Sequence, residues 1–182
     1  MNDSRNICGQ AYALTVLTPI LTGHETHLAK YLDGLTTGPA SPLARVPSTH
    51  FARWVVIGDV VFEVPSQKRD HLKLPRLLFT SNFDGALGPY LEALRTGLGD
   101  AADAIWGHCA GYPGSGNGAA FARYMRAHQI ESALFFSPYG DRTVEQVLGS
   151  LAERQSLIDF ALRAQGMAPA ELQSAFRETF AP

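Results

Sequence analysis

Residues 50–57 read HFARWVVI, a run of aromatic and β-branched side chains interrupted by one arginine. This composition is typical of a β-strand. Alternation along a strand would place Phe51 and Arg53 on one face, and His50 and Trp54 on the other. A buried arginine is costly without a partner, so Arg53 indicates either an ion-pair network or a binding site within a sheet.

The segments around this strand predict the rest of the fold. Residues 11–18, 76–81 and 131–137 have strand patterns, and amphipathic helices are predicted at 22–35 and from Leu87 to Leu98. The resulting order is βαββαβ, a ferredoxin-like α+β fold with a four-stranded antiparallel sheet. Two further helices follow it, one of them ending near Ala164 and the other beginning at Pro169.

Three parts of the chain are expected from these patterns. Residues 1–10 form a flexible N-terminus, residues 11–140 form the ferredoxin-like domain, and residues 141–182 form a C-terminal helical extension packed on the same domain. Several predicted strands are apolar on both faces, so both faces of the sheet should be covered. A homodimer that closes an α+β barrel is the favoured cover, and the C-terminal helices are the alternative.

Composition and charge exclude several classes of partner. A net charge of -2 and a pI near 6.3 give no basic surface for nucleic acid. No segment approaches the roughly 20 apolar residues of a membrane span, and residues 1–10 lack the apolar core of a signal peptide. We therefore expect a cytoplasmic protein without membrane contact, in which Cys8 and Cys109 are free thiols.

Three motifs resemble those of a known protein family. They are HFARW at 50–54, SNFDG at 81–85 and HCAGYP at 108–113. In this order they resemble a family of ferredoxin-like bacterial and fungal proteins whose members occur alone or beside haem-peroxidase-type domains. The resemblance covers roughly residues 10–160 and implies the dimeric α+β barrel type of fold and a site, rather than a particular reaction.

The candidate catalytic residues are His50, Arg53 and Asp84. His50 could act as a general base or, alternatively, hydrogen-bond at a strand end. Arg53 could bind an anionic substrate, or form a structural ion pair with Asp84 or Asp59. Asp84 could orient these groups. Alternatively, Asp84 is present because it forms a turn and caps the N-terminus of the next helix.

The candidate ligand contacts lie in the other motifs. Asn82, Trp54 and Tyr112 are predicted to bind substrate, and His108 is the candidate haem ligand in a Gly-rich loop. The alternative for that loop is a structural cover over a buried Trp106. His24 and His27 are three residues apart on a helix, but no third ligand is visible, so no metal site is predicted.

These observations favour a small-molecule-binding enzyme of the dimeric α+β barrel class. Its expected chemistry is oxidative, with haem as the candidate cofactor if one is present. Two alternatives stay open. One is a non-catalytic accessory or protein-interaction subunit, and the other is a ligand-free structural dimer with a buried Arg53–Asp84 salt bridge.

Overall fold

The computed structural model describes residues 3–60 and 71–180. These residues contain four strands and six α-helices. The strands are β1 (Ile7–Cys8), β2 (Ala11–Pro19), β3 (Thr49–Ile57) and β4 (Arg76–Asp84). The helices are α1 (Glu25–Asp33), α2 (Leu87–Leu98), α3 (Asp100–Trp106), α4 (Gly118–Ala127), α5 (Val144–Arg163) and α6 (Pro169–Phe180). Short 3-10 turns occupy Asp3–Asn6, Gly38–Ala40 and Pro42–Arg45.

The strands form one antiparallel sheet in the order β1-β2-β4-β3. The α+β class expected from the sequence is therefore confirmed. β2 and β3 are parallel to each other, because each pairs antiparallel with the β4 strand between them. Helix α1 connects β2 to β3 along the chain.

The fourth strand predicted at residues 131–137 does not form. Just before this segment, the chain meets the outer edge of β2 at a bridge between Val16 and Gln129. If the pairing continued, residue 133 would lie opposite Tyr12, but Ile7 of β1 already occupies that position. Because β1 takes this part of the edge, the segment after Gln129 leaves the sheet.

The N-terminal segment carries this competing strand. Within residues 1–10, which the sequence predicts to be flexible, residues 3–8 form a 3-10 turn and β1. The buried side chain of Asn6 accepts a hydrogen bond of 2.9 Å from the Ser132 backbone N–H. This contact fixes the start of the segment that was expected to be a strand.

Helices α1 to α4 cover one face of the sheet and form the core with it. Trp106 lies at the centre, fully buried, with edge-to-face ring contacts to Phe79 at 5.4 Å and to Phe121 at 6.0 Å. Large buried aromatic side chains of this kind dominate the energetics of a core. We call this side of the sheet the helix face.

The opposite side, which we call the open face, is only partly covered by the described residues of the chain itself. Phe51 on β3 is 76% exposed, and Val55 and Arg53 on the same strand are exposed as well. The chain alone therefore does not bury Arg53. Strand alternation revealed which residues share a face, but it carries no information about what packs on that face.

The chain divides into two compact units, Met1–Val144 and Glu145–Pro182. The second unit contains most of α5 and all of α6, where Phe160 contacts Phe176 and Phe180 at ring distances of 5.6 and 5.4 Å. The division lies close to the predicted boundary at residue 140. Among the described residues, no helix has the length and apolar character required to cross a membrane.

Candidate functional site

A β-bulge in β3 determines where His50 points. Thr49 pairs with Phe83 and Phe51 pairs with Asn82, so β3 advances by two residues where β4 advances by one. Bulges of this kind re-aim a side chain. His50, expected on the face opposite Phe51, instead lines the same cavity as Phe51 and Asn82.

The bulge brings His50 against Asp84, the last residue of β4. His50 Nε2 and Asp84 Oδ1 are 2.7 Å apart, and the two side chains are 18% and 13% exposed. Asp84 Oδ2 accepts a hydrogen bond of 2.7 Å from the Val144 backbone N–H. Asp84 does not cap α2, the helix that follows it, because the N-cap there is Ala86. The carboxylate orients the imidazole and is itself held by a backbone donor.

A groove of about 550 Å³ crosses the open face between the sheet and residues 132–135. We call it the Arg53 groove. Its polar lining comes from Thr15, Arg53, Thr80, Asn82 and Ser132. Its larger apolar lining residues are Phe51, Leu134 and Phe135. The groove therefore combines one cation, several hydroxyl and amide groups, and an aromatic wall.

A smaller hollow of about 290 Å³ adjoins this groove and is lined in part by His50. The two cavities share Phe51, Asn82 and Phe135 as lining residues. Phe136 and Tyr139 complete the apolar wall of the hollow, which we call the His50 hollow. Together, the cavities place the His50–Asp84 pair and the Arg53 guanidinium along one continuous depression.

Arg53 has neither of the ion-pair partners expected from the sequence. Asp84 pairs with His50, and Asp59 pairs with His71 at 2.6 Å. Hydrogen bonds from His71 and from two backbone N–H groups lower the pKa of Asp59 to about 2. The described part of the chain gives Arg53 no hydrogen bond or ion pair, so the buried Arg53–Asp84 salt bridge of the structural-dimer hypothesis does not exist in this chain.

Trp54 lies away from these cavities. Its ring packs on the helix face, 5.2 Å from the Phe79 ring and 6.2 Å from the Trp106 ring. It lines a separate cavity of about 370 Å³ beside Leu32 and Leu43. Trp54 and Asn82, which were both predicted to bind substrate, therefore line cavities on different faces of the sheet.

The Gly-rich loop also lies outside the Arg53 groove. Tyr112 donates a hydrogen bond of 2.8 Å to Asp103, and Ser115 donates two of 2.7 Å to the same carboxylate. Burial and the Asp103 hydrogen bond raise the pKa of Tyr112. Trp106 beneath the loop is fully buried, as the structural alternative for this loop expects.

The two cysteines have no disulfide, so the prediction of free thiols is confirmed. Cys109 is buried and its thiol accepts a hydrogen bond of 3.3 Å from Thr18. Burial raises the pKa of Cys109, which keeps it a neutral thiol near pH 7. This side chain belongs to the core rather than to a reactive site.

The predicted haem ligand His108 lies apart from the two cavities of the open face. His108 Nδ1 lies 3.1 Å from His24 Nδ1, and His108 lines neither the Arg53 groove nor the His50 hollow. His50, which lines the His50 hollow, has its Nε2 bonded to Asp84.

Sequence reasoning missed two features of this arrangement. Ser132 lines the groove although its segment was expected to be a strand. His24 and His108 meet although 84 residues separate them. No local signal points to either contact, since both depend on how distant segments pack.

The chain was compared with protein-family models, with curated proteins and with solved structures, and none of them matched it.

Proposed function

We propose that the protein is a small-molecule enzyme whose substrate binds along the Arg53 groove and the His50 hollow. The substrate class is an anion that carries an apolar, ring-sized part. The observation that carries this proposal is an Arg53 guanidinium that has no ion-pair partner among residues 3–60 and 71–180, in a groove that also has an aromatic wall.

The charge of the ligand follows from Arg53. Its guanidinium has five N–H donors in a planar fork that suits a carboxylate or phosphate. Thr80 and Asn82 lie beside it on β4 and offer hydroxyl and amide groups to the same ligand. The groove supplies these polar groups, and the adjoining His50 hollow supplies the mainly apolar wall that is typical of a ligand pocket.

The apolar part of the ligand follows from the wall of the depression. Phe51 and Phe135 line both cavities, and Phe136 and Tyr139 extend the wall in the hollow. Phe51 and Phe136 are each 76% exposed. Exposed apolar side chains that cluster in this way are typical of an interaction site. An apolar ring of the ligand that packs against this wall would lie close to the His50 side chain.

The chemistry is assigned to the His50–Asp84 pair. When Nε2 carries the proton and donates to Asp84, Nδ1 has a free lone pair and can accept a proton from a substrate. No hydrogen bond to Nδ1 exists within residues 3–60 and 71–180. His50 is therefore the proposed general base, and Asp84 is the positioning residue that fixes its tautomer.

Three finer proposals accompany this one. The β2-α1-β3-β4 order supports a ferredoxin-like sheet in which β1 and the Val16–Gln129 bridge replace the last strand. The exposed Phe51 and Val55 support a homodimer in which a second copy covers the open face. The third proposal is that the reaction is oxidative. This chemistry and the resemblance of the three motifs to a known family are both still predictions.

Ligand titration tests the binding proposal. Saturation-transfer NMR with benzoate and with benzamide should show binding of the carboxylate and at least 10-fold weaker binding of the neutral amide. Arg53→Gln should abolish this preference. Arg76→Gln is the matched control, because Arg76 is an arginine on the neighbouring strand β4 that does not line either cavity. Equal binding of both probes, or loss of the preference in the control, would contradict the proposal.

A second candidate function is a non-catalytic interaction subunit. Leu134 and Tyr139 are 86% and 69% exposed, which favours a surface for a protein partner. Under this alternative, substituting Leu134 by Ser changes the oligomeric state in light scattering, while neither probe binds the wild-type protein.

A further inference from the structure

Two histidines outside the open face converge on each other. His24 stands at the start of α1 and His108 follows α3, and their Nδ1 atoms are 3.1 Å apart. Their rings meet edge to face at a centroid distance of 5.2 Å. Both side chains are half-buried, so solvent can reach the pair.

Backbone hydrogen bonds hold the two histidines in this position. The Leu21 N–H donates to the His108 carbonyl at 2.9 Å, and the Ala110 N–H donates to the Pro19 carbonyl at 2.8 Å. The His24 N–H in turn donates to the Leu21 carbonyl at 3.0 Å. These bonds fix the backbone segments that carry the two imidazoles, so less reordering is needed to bring the rings together.

The separation of the two nitrogens matches that of two ligands on one metal ion. With metal–nitrogen bonds of about 2.0–2.1 Å, two imidazole nitrogens lie about 2.9 Å apart at a right angle and about 3.3 Å apart at a tetrahedral angle. The observed 3.1 Å falls between these values. We propose that His24 and His108 bind a borderline divalent transition ion, such as Zn²⁺, Ni²⁺ or Cu²⁺, through their Nδ1 atoms.

The ligand chemistry of the pair favours a transition ion. Partial burial lowers the pKa of His108, and the nearby His24 and His27 lower it further. A metal ligand must be the neutral imidazole, and neutral imidazoles suit Zn, Ni and Cu, whereas Mg and Ca prefer oxygen. The described residues contain no group of three or more metal-ligating side chains. Water or an exogenous ligand therefore completes the coordination, so the site has open positions.

Calorimetric titration of the untagged full chain with ZnCl₂ at pH 7.5 tests the site. We expect one Zn²⁺ per chain, and at least 10-fold weaker binding in both His24→Gln and His108→Gln. His71→Gln is the matched control, since His71 is another histidine with a short side-chain contact, to Asp59. Its affinity should equal that of the wild type.

A spectroscopic measurement on the wild type keeps the proposal testable if either variant fails to fold. Electron paramagnetic resonance of the Cu²⁺ complex should show hyperfine coupling to two imidazole nitrogens. A spectrum with a single nitrogen, absence of binding, or unchanged affinity in folded His24→Gln and His108→Gln would overturn the proposal. In that case the pair shares a proton in a plain hydrogen bond.

Discussion

The two faces of β4 differ sharply although they belong to one strand of nine residues. Leu77, Phe79, Ser81 and Phe83 on the helix face are almost fully buried, whereas the alternate residues on the open face are only partly covered. The helix face holds the fold together, and the open face carries the groove with its unpaired cation. One strand can therefore serve stability and binding through alternate residues.

The largest contrast is expected between two phenylalanines. Phe79→Ala should lower the free energy of unfolding by about 3–5 kcal/mol, because it leaves a cavity in a packed core. Phe51→Ala should change it by less than about 0.5 kcal/mol in the monomer, since Phe51 is exposed. Urea unfolding followed by circular dichroism measures both. Equal losses in a monomer verified by light scattering would mean that the open face is packed within the chain.

The next contrast is between Ser81 and Asn82, neighbouring residues of β4 that lie on the helix face and the open face. Tyr90 of α2 is buried, and its hydroxyl group bonds to Ser81 and, at 3.3 Å, to Thr49. Tyr90→Phe leaves the buried Ser81 hydroxyl without this partner and should cost about 1–3 kcal/mol. Asn82→Ala, one position from Ser81 but on the open face, should cost less than about 0.5 kcal/mol and weaken benzoate binding. The opposite ranking in urea unfolding would contradict the assignment of the two faces.

A smaller effect is expected on stability at acid pH, where Asp103 bonds to Tyr112 and Ser115 of the Gly-rich loop. Burial alone would raise the pKa of Asp103, but hydrogen bonds from Ser115 and Tyr112 outweigh it and lower the pKa. The unfolded chain therefore binds a proton more readily, and stability is lost as the pH falls from about 3.9 through the lower folded-state pKa.

Thermal melts between pH 6 and pH 3 check this expectation. Asp103→Asn should flatten the fall of Tm in the acid range, and Asp100→Asn, at the start of the same helix, should leave its slope unchanged. If both variants keep the wild-type slope, Asp103 does not contribute to acid stability.

The smallest expected change is a tautomer shift on the open face. In Asp84→Asn the carboxylate that orients His50 Nε2 is lost, so the imidazole should populate both tautomers. ¹⁵N NMR of the histidine ring distinguishes them. A wild-type ring that is already protonated mainly at Nδ1 would exclude His50 as the proposed base.

Local patterns predicted much of the fold. The apolar spacing of Leu87, Tyr90, Leu91, Leu94 and Leu98 correctly gave the buried side of α2. The strands at 11–18, 50–57 and 76–81 also correspond to β2, β3 and β4 within a few residues. Periodicity succeeds here because burial of one side decides both the pattern and the structure.

The predictions that failed concern features that depend on contacts between segments distant in the sequence. The strand at 131–137 was lost to Ile7–Cys8, and competition between distant segments leaves no mark in either sequence. The side on which His50 lies depends on a bulge that exists only when β3 pairs with β4. Likewise, the sequence singled out Arg53, but the pattern of a strand does not reveal whether its face is covered. These parts of the site required tertiary information.

The bulge at residues 49–51 has a consequence for how the molecule avoids aggregation. β3 is an outer strand of the sheet formed by the described residues, so its free backbone groups could template the addition of another chain. An extra residue distorts such an edge and makes continuous strand addition unfavourable. Deleting His50 would straighten this edge, and we infer that the shortened chain would assemble edge to edge into fibrils.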